Sequence, residues 1–326
     1  MKNFWQKLKK LSRQGSGRAI YVLAPMAGVA DSAFRQIAKQ FGADVVYSEM
    51  VSATALAYNS KKTLALMKFN KKERPYVIQL FGSKPEHFAK AAKIIENKIK
   101  PDGIDINFGC PVKKVARQGA GAVLMNNFKL AREIIEATIN NTKLPVSIKI
   151  RSCVGSTKAL DFLKNMVDLD IKAVMIHGRS MAQGQSGEVD WKIIKQARPF
   201  VKGILLANGG VKNAEDASEL LRKTGADGIG IGQGALGKPW IFSQLVRHGK
   251  PKAKRATYNS QLISKKMIFQ TALKHAKLAE KLKGQSGIIE MRKHLCWYVS
   301  GLPDASVLRG KFIKAESLND IKKILR

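Results

Sequence analysis

Short apolar or β-branched runs recur along the first three quarters of the chain and predict eight strands. They lie at 19–24, 44–49, 76–81, 103–107, 145–150, 173–177, 203–207 and 228–232. Most are separated by segments with helical spacing, such as 31–43, which opens with an N-cap-like Asp31 and ends near Gly42. Eight strand–helix units predict a closed parallel (β/α)8 TIM barrel of the α/β class. An open doubly wound sheet is the alternative, but it would more naturally carry G-x-G-x-x-G after the first strand.

The pattern changes after residue 244, where strand-like runs give way to helical spacing. Segments 260–282 and 288–302 predict two helices, the second ended near Gly301, and a third short helix is expected over 316–326. We therefore predict a barrel over residues 1–244 that binds a cofactor and carries the chemistry. A small all-α C-terminal domain is predicted over residues 245–326.

The charge balance is strongly basic and favours a polyanionic partner. The chain has 58 Lys and Arg against 24 Asp and Glu, a net charge of +34 in 326 residues. Residues 245–326 carry 19 basic and 5 acidic residues, so their charge density is about twice that of the preceding part. Nucleic acid is the simplest partner for such a surface. A lysine-rich proteome, or a small helical bundle with solvated charged faces, is the plainer explanation.

Cysteine usage and hydropathy indicate a reducing compartment without membrane attachment. Cys110, Cys153 and Cys296 form neither a disulfide framework nor the paired spacing of a zinc site, so no metal is expected. The basic segment 1–18 lacks the apolar core of a secretory signal, and no run approaches the roughly 18 to 20 apolar residues of a membrane span. We expect a cytoplasmic monomer. A mitochondrial presequence ranks lower because lysine outnumbers arginine in this segment.

One cysteine stands where a barrel would place chemistry. In the stretch 104–115, IDINFGCPVKKV, a buried strand ends at Gly109, and Cys110 follows on a tight turn before Pro111. Lys113 and Lys114 come next. A thiol at a strand tip beside cations suits proton transfer or nucleophilic chemistry. The alternative is a buried, inert cysteine.

The carboxyl ends of the predicted strands carry polar and glycine residues that would share one rim. In chain order they are Pro25, Met26, Ala27 and Gly28; Glu49; Gln79; Asn107 and Cys110; Lys149 and Arg151; His177 and Arg179; Asn208, Gly209 and Gly210; and Gly232, Gln233 and Gly234. The glycine turns after strands seven and eight suit a phosphate, and Lys149 supplies a fixed positive charge. Gln79 and Asn208 can both donate and accept hydrogen bonds. Together they predict a flat, phosphate-bearing cofactor, and FMN fits.

Several sequence blocks resemble those of the tRNA-dihydrouridine synthases. They are APMAGVADSAFR (24–35), SEM (48–50), QLFGS (79–83), DINFGCPVKKV (105–115), IKIR (148–151), HGR (177–179), ANGG (207–210) and GALGKPWIF (234–242). RKHLCWY (292–298) resembles the helical domain of the bacterial B-type branch. The resemblance extends over about residues 20 to 320, and the GCPVKKV and HGR blocks are its most specific parts.

The resemblance implies an FMN-dependent enzyme that reduces the C5=C6 bond of tRNA uridines, with NADPH as the electron source. The uridine is flipped into the barrel mouth, reduced FMN gives a hydride to C6, and Cys110 gives a proton to C5. The implied cofactor contacts are Pro25, Met26, Ala27, Gln79, Asn107, Lys149, His177, Asn208, Gly209, Gly210, Gly232 and Gln233. The implied substrate contacts are Lys113, Lys114, Arg151, Arg179, Arg292 and Lys293.

Two positions depart from the family pattern, and they keep other functions open. Many relatives have an acid where this chain has Gly210 and an arginine where it has Gln233. A glutamine cannot supply a charged phosphate contact, so FMN is held more loosely or another cation replaces the arginine. The alternatives are the same chemistry on ribosomal RNA, a small-molecule FMN dehydrogenase of dihydroorotate type, and a non-catalytic RNA-binding barrel. The basic tail argues against the small-molecule enzyme.

Overall fold

A closed eight-stranded parallel barrel forms the body of the protein, which we describe from a computed structural model covering residues 3–11, 18–248 and 263–326. The barrel strands are β1 Ile20–Leu23, β2 Val45–Ser52, β3 Tyr76–Phe81, β4 Gly103–Phe108, β5 Val146–Arg151, β8 Ala173–His177, β9 Ile204–Asn208 and β10 Gly228–Ile231. They neighbour one another in chain order, and β10 pairs with β1 to close the barrel. The predicted (β/α)8 fold is therefore confirmed.

Helices and one short hairpin connect the strands. The helices before and around the barrel are α1 Phe4–Leu11, α2 Ser32–Gln40, α3 Ala53–Ala57, α4 Lys61–Leu66, α5 Pro85–Ile94, α6 Lys113–Ala116, α7 Phe128–Ile139, α8 Ala159–Lys164, α9 Trp191–Gln196, α10 Ala214–Thr224 and α11 Ile241–His248. Strands β6 Cys153–Val154 and β7 Thr157–Lys158 form an antiparallel hairpin after β5. The sequence pattern did not predict this hairpin, which lies beside the barrel mouth.

Local sequence explains why these elements form. Strands β1 and β4 are buried at every position, as expected when side chains of a barrel strand face either the interior or the helical layer. Helix α2 begins as predicted, because the Asp31 side chain accepts a hydrogen bond from the Phe34 amide at 2.9 Å. Helix α10 ends at Gly225, whose φ of 63° is left-handed and favours glycine.

Helix α1 closes the amino-terminal end of the barrel. Trp5 is only 1% exposed and packs against inward-facing strand residues such as Val22 and Leu206. Lys9 Nζ donates to the carbonyl of Gly203, just before β9, at 3.3 Å. The sequence pattern predicted no helix in this basic segment, which packs against the end of the barrel.

Four helices lie in the described residues 263–326 of the C-terminal tail, for which the sequence predicted three. They are α12 Lys265–Lys283, α13 Gln285–Tyr298, α14 Ala305–Phe312 and α15 Leu318–Ile324. Helix α14 was missed, and the predicted start of the first tail helix at 260–262 lies outside the described residues. The predicted boundary at 244/245 falls inside α11, whose Phe242 and Leu245 belong to the barrel core.

The tail packs on the barrel helix α2. Ala33 shares an apolar cluster with α12, α13, α14 and α15, and the Phe34 ring stacks on His275 with centroids 5.6 Å apart. Trp240, which precedes α11, joins the same cluster. Within the described ranges, none of the helices is long and apolar enough to cross a membrane.

Candidate active site

The carboxyl ends of all eight barrel strands surround one open cavity of about 830 Å³. Fifteen of the nineteen catalytic, cofactor and substrate residues implied by the resemblance line it: Pro25, Met26, Ala27, Gln79, Asn107, Cys110, Lys149, Arg151, His177, Arg179, Asn208, Gly209, Gly210, Gly232 and Gln233. The four others lie outside this lining. Lys113 and Lys114 are exposed on α6, and Arg292 and Lys293 lie on the tail helix α13.

The turn that carries Cys110 is held by hydrogen bonds on two sides. The Asn107 side-chain oxygen accepts from the amides of Gly109 and Cys110 at 3.0 and 2.9 Å. The Cys110 carbonyl accepts from the Ala122 amide at 3.1 Å. Cys110 is half-buried and lines the cavity, and these hydrogen bonds hold its backbone in place.

Lys149 places a cation in the wall of the cavity next to this turn. Burial, followed by the nearby Arg151 charge, lowers the pKa of Lys149 to about 8, while Asp105 and Cys110 act in the opposite direction. Lys149 is therefore still mostly charged at neutral pH and loses its charge as the pH rises through about 8. It can hold a partly negative group of a bound ligand.

His177 is neutral at physiological pH. Burial and the charges of Lys149, Arg151 and Arg179 lower its pKa to about 2. Its Nε2 atom is buried and has no hydrogen-bond partner within the described residues, and the ring lines the cavity. A neutral imidazole with an unused nitrogen is suited to bind a polar atom of a ligand.

Arg151, a predicted substrate contact, lines the cavity and makes several hydrogen bonds inside the protein. It is 2% exposed, and its Nε donates to the Gly109 carbonyl at 2.9 Å. Its Nη1 donates to the carbonyls of Ser180 and Gly184 at 2.8 and 2.7 Å. This arginine ties the loop after β8 to the Cys110 turn, because most of its donors are used inside the protein.

Arg179 lies in the loop after β8, in the same part of the cavity wall. It is half-buried, lines the cavity, and its Nε donates to the Gly187 carbonyl at 2.8 Å. It therefore remains near enough to a bound ligand to contact it.

Glycine turns after β9 and β10 form the opposite part of the wall. Gly209 has a φ of +115°, and a Cβ there would lie 2.8 Å from the His177 ring. A Cβ on Gly234 would lie 2.1 Å from the Val211 carbonyl oxygen. Only glycine fits at these two positions, and the backbone is left close to any ligand, as in barrel phosphate sites.

Lys212 also lines the cavity and is not among the residues predicted from the sequence. It is exposed and lies two residues after the Gly209-Gly210 turn that follows β9. Gln233, in contrast, carries no charge although it lies on the neighbouring turn. The position of Lys212 could have been recognised in the sequence, since a lysine two residues after the turn Gly209-Gly210 is close to any phosphate bound there.

Among the described residues of the helical tail, one lines the cavity. Trp297 on α13 lines it and is half-buried, although its block in the sequence was assigned only to the tail. Its carbonyl would lie 2.2 Å from a Cβ on Gly237, so a close approach between tail and barrel requires this glycine. The tail is therefore part of the site wall.

The two tail cations selected from the sequence make contacts inside the protein. Arg292 Nε donates to the Ala315 carbonyl at 2.9 Å, and Lys293 Nζ donates to the carbonyl of Gly28 in the loop after β1. Lys293 thus links the tail to the cavity rim. Each of these two side chains therefore uses a hydrogen-bond donor inside the protein.

Fold and site define a (β/α)8-barrel protein with a ligand cavity at its carboxyl mouth and a basic helical tail. Comparison with known proteins specifies the class further. The chain belongs to the dihydrouridine synthase (Dus) family, whose model matches residues 22–326. The family membership and the enzyme class expected from the sequence are confirmed.

Individual relatives agree with this assignment. A probable tRNA-dihydrouridine synthase of Rickettsia conorii is 37% identical over 293 residues, covering 89% of this chain and 87% of the relative. The tRNA-dihydrouridine synthase B of Pseudomonas syringae is 32% identical over 297 residues, covering 90% and 87%. Among solved structures, histamine dehydrogenase from Rhizobium sp. 4-9 has a TM-score of 0.54 at 11% identity. It covers 79% of this chain and 49% of that protein, a likeness of fold alone.

Proposed function

We propose that this protein reduces uridines of tRNA to 5,6-dihydrouridine with FMN as cofactor and NADPH as electron source. The observation that carries the proposal is that the half-buried Cys110 and the half-buried Lys149 cation line one cavity at the barrel mouth. The relatives named above are tRNA-dihydrouridine synthases, which supports tRNA as the substrate. A tRNA substrate would place the enzyme in the cytoplasm.

The residues present fit a flavin mononucleotide. The glycine turns at Gly209 and Gly234 can accept its phosphate without a side chain in the way. The unpartnered Nε2 of His177 and the charge of Lys149 suit the polar edge of a flat heterocycle. When bound and reduced by NADPH, this cofactor supplies the hydride that C6 of the uracil ring accepts.

The protein's own groups would complete the reaction. Cys110 gives its thiol proton to C5 as C6 receives the hydride, so the C5=C6 double bond becomes a single bond carrying two new hydrogens. Arg179 and Trp297 are available at the cavity wall to contact the flipped base. Arg151 holds the Cys110 turn and the loop after β8 in fixed positions relative to each other.

The basic surface would hold the RNA outside the cavity. Lys113 and Lys114 are exposed just beyond the Cys110 turn, and residues 245–326 carry about twice the charge density of residues 1–244. We infer that residues 1–244 supply catalysis and that residues 245–326 contribute the main tRNA-binding surface. Binding through phosphates would weaken steeply with added salt.

The visible absorption spectrum of the purified protein is the first test. We expect flavin bands that bleach with NADPH and recover faster, without oxygen, when unmodified tRNA transcript is added. Mass spectrometry of the tRNA should show a gain of two hydrogens per modified uridine. Ribosomal RNA and dihydroorotate serve as competing substrates, and a preference for either would replace tRNA in the proposal. A colourless protein that FMN cannot reconstitute would remove the enzyme proposal.

Replacing Lys212 by methionine is expected to weaken FMN binding and to leave riboflavin binding unchanged. Lys212 is the exposed cation beside the glycine turns, and riboflavin lacks the phosphate. A charge-assisted hydrogen bond is worth about 1.5 to 3 kcal/mol, so the FMN Kd should rise roughly 10-fold or more. Fluorescence titration measures both ligands. The control Lys202→Met changes an exposed lysine just before β9, at the other end of the barrel. Equal weakening of both flavins would contradict the phosphate contact.

Riboflavin affinity should fall as the pH rises through about 8. Lys149 has a pKa near that value, so it is charged below it and neutral above it. If the charged form binds the isoalloxazine edge, the Kd should rise by up to about tenfold per pH unit above the transition. Riboflavin is the ligand of choice because it carries no ionising phosphate. The Lys149→Met variant should bind more weakly with a flat pH profile, and a flat profile in the wild type would exclude this role.

A further inference from the structure

A buried acid lies in the barrel interior beside the site. Asp105, in the middle of β4, is fully buried and does not line the cavity formed by the described residues. Its Oδ2 accepts from Gln79 Nε2 at 2.8 Å, and its Oδ1 accepts from Ser147 Oγ at 2.6 Å. Gln79 and Ser147 are its register neighbours on β3 and β5, so the three side chains share one layer.

Two further amide contacts lead from this acid to the Cys110 turn. Gln79 Oε1 accepts from Asn107 Nδ2 at 2.8 Å. Asn107 Oδ1 then accepts from the backbone amides of Gly109 and Cys110 at 3.0 and 2.9 Å. The result is a continuous chain of hydrogen bonds from Asp105 to the residue that we propose as the proton donor.

The donors and acceptors of these groups determine which end of each amide points at its neighbour in this series of hydrogen bonds. A primary amide can turn over and exchange its oxygen for its NH2 group, whereas an ionised carboxylate only accepts. Because Asp105 accepts, Gln79 must point Nε2 at it and Oε1 at Asn107. Asn107 must then present its oxygen to the two backbone N–H groups. If Gln79 turned over, Asn107 would present NH2 to two donors, and both bonds to the turn would be lost.

We propose that Asp105 is a positioning residue that sets the direction of the Gln79–Asn107 amide chain and so holds the Cys110 turn in its reactive place. The catalytic part of this inference rests on the function proposed above, while the positioning part does not. The unfavourable free energy of burying the Asp105 carboxylate supports this inference. Burial raises the pKa of Asp105 to about 6, although hydrogen bonds from Ser147 and Gln79 and the charge of Lys149 act against the shift. Tyr47, whose hydroxyl is 3.4 Å from Ser147 Oγ, is a second titratable neighbour.

Three variants of the acid and its serine partner form the test. In Asp105→Asn, the new side-chain oxygen can accept from Gln79 while its NH2 donates to Ser147, whose hydroxyl is 3.4 Å from the Ile104 carbonyl and can turn towards it. In Ser147→Ala, Asp105 still accepts from Gln79. Only the double variant Asp105→Asn/Ser147→Ala removes the group that keeps the NH2 of residue 105 away from Gln79. We expect each single variant within about threefold of wild-type turnover, and the double variant slower by roughly 10- to 100-fold.

Two measurements separate positioning from general damage. Turnover is split into flavin reduction by NADPH and flavin reoxidation by tRNA, and only the second should slow in the double variant. Alkylation of Cys110 is followed by peptide mass spectrometry, with Cys153 and Cys296 as internal references. A looser turn should label about fivefold or more faster at Cys110 alone in the double variant. The alkylation result does not require the protein to be a tRNA reductase, so it tests positioning even if the proposed function fails.

The outcomes decide the proposal clearly. Near-wild-type single variants with a slow, fast-labelling double variant would support it. Asp105→Asn alone as harmful as the double variant would overturn it, because the negative charge would then matter instead of the direction. A double variant with wild-type reoxidation and labelling would overturn it as well. Should the double variant fold poorly, Asp105→Leu, which also frees Gln79 to turn over, is held to the same two measurements.

Discussion

Replacing Cys110 by alanine should lower the rate of dihydrouridine formation by about 10²- to 10⁴-fold, the usual contribution of a positioned general acid. Flavin binding and flavin reduction by NADPH should stay near the wild-type level. The hydrogen bonds that hold the turn use the backbone of Cys110 and not its sulfur, so alanine can keep the geometry. Rapid mixing of the reduced enzyme with unmodified tRNA measures the affected step as the return of flavin absorbance.

Cys153→Ala is the matched control for this experiment. Cys153 is also half-buried, but it lies on the β6–β7 hairpin and is not a lining residue of the cavity as described. Its loss should leave both half-reactions unchanged. If Cys110→Ala reoxidised with tRNA as fast as the wild type, another group would have to donate the proton and the assignment would fail.

The barrel was accessible from the sequence because its signal is local and repeated. Strands buried on both faces read as short apolar runs, and runs such as 145–150 and 173–177 coincide closely with β5 and β8. Once eight strands are assigned, their carboxyl ends must share one rim, and the cavity lining follows from topology. The residues that line the site are therefore predictable from the order of the strands alone.

The missed elements depend on partners that are distant in sequence. Helix α1 is eight residues long and is held in place by the burial of Trp5 at the end of the barrel. The local sequence pattern does not predict this burial. Helix α14 is similarly short and is held by contacts such as that of Phe312 in the tail cluster. Short helices owe their stability to tertiary packing, so their sequences alone give weak signals.

Within the site, residue type was predictable but partners were not. Arg151 is predicted as a substrate contact from the sequence, and the structure adds that its Nε and Nη1 donate to carbonyls of two loops. Trp297 comes from a helix more than 50 residues after the last barrel strand and still lines the cavity. Asp105 lies inside a strand that reads as apolar, and its role depends on neighbours in β3 and β5.

A buried ion pair supports the wall of the cavity from behind. Glu73 and Arg35 are 0% and 1% exposed, and Arg35 Nε donates to Glu73 Oε2 at 2.6 Å. Arg35 Nη1 donates to the Ala30 carbonyl at 2.7 Å, while Glu73 Oε1 accepts from the Ser32 hydroxyl. The loop from β1 to α2, which contains the lining residues Pro25, Met26 and Ala27, is therefore anchored to this pair.

Glu73→Gln should be the most destabilising of the substitutions considered, because it leaves the Arg35 charge buried without a counter-ion. Breaking one partner of a buried pair costs about 3 to 5 kcal/mol, which corresponds to a melting temperature lower by roughly 5 to 15 °C. Thermal melting of the flavin-loaded protein measures the shift, and weaker flavin binding should accompany it as the anchored loop loosens.

Two controls make this prediction specific to the buried charge. Asp168→Asn breaks the exposed Arg132–Asp168 pair and should leave the melting temperature unchanged, since solvent screens that pair. The double variant Arg35→Met/Glu73→Gln removes both charges and should recover part of the stability lost in Glu73→Gln, because the penalty comes from an unpaired buried cation. If Glu73→Gln melted with the wild type, or if the double variant were less stable than Glu73→Gln, the pair would not be the anchor of the loop.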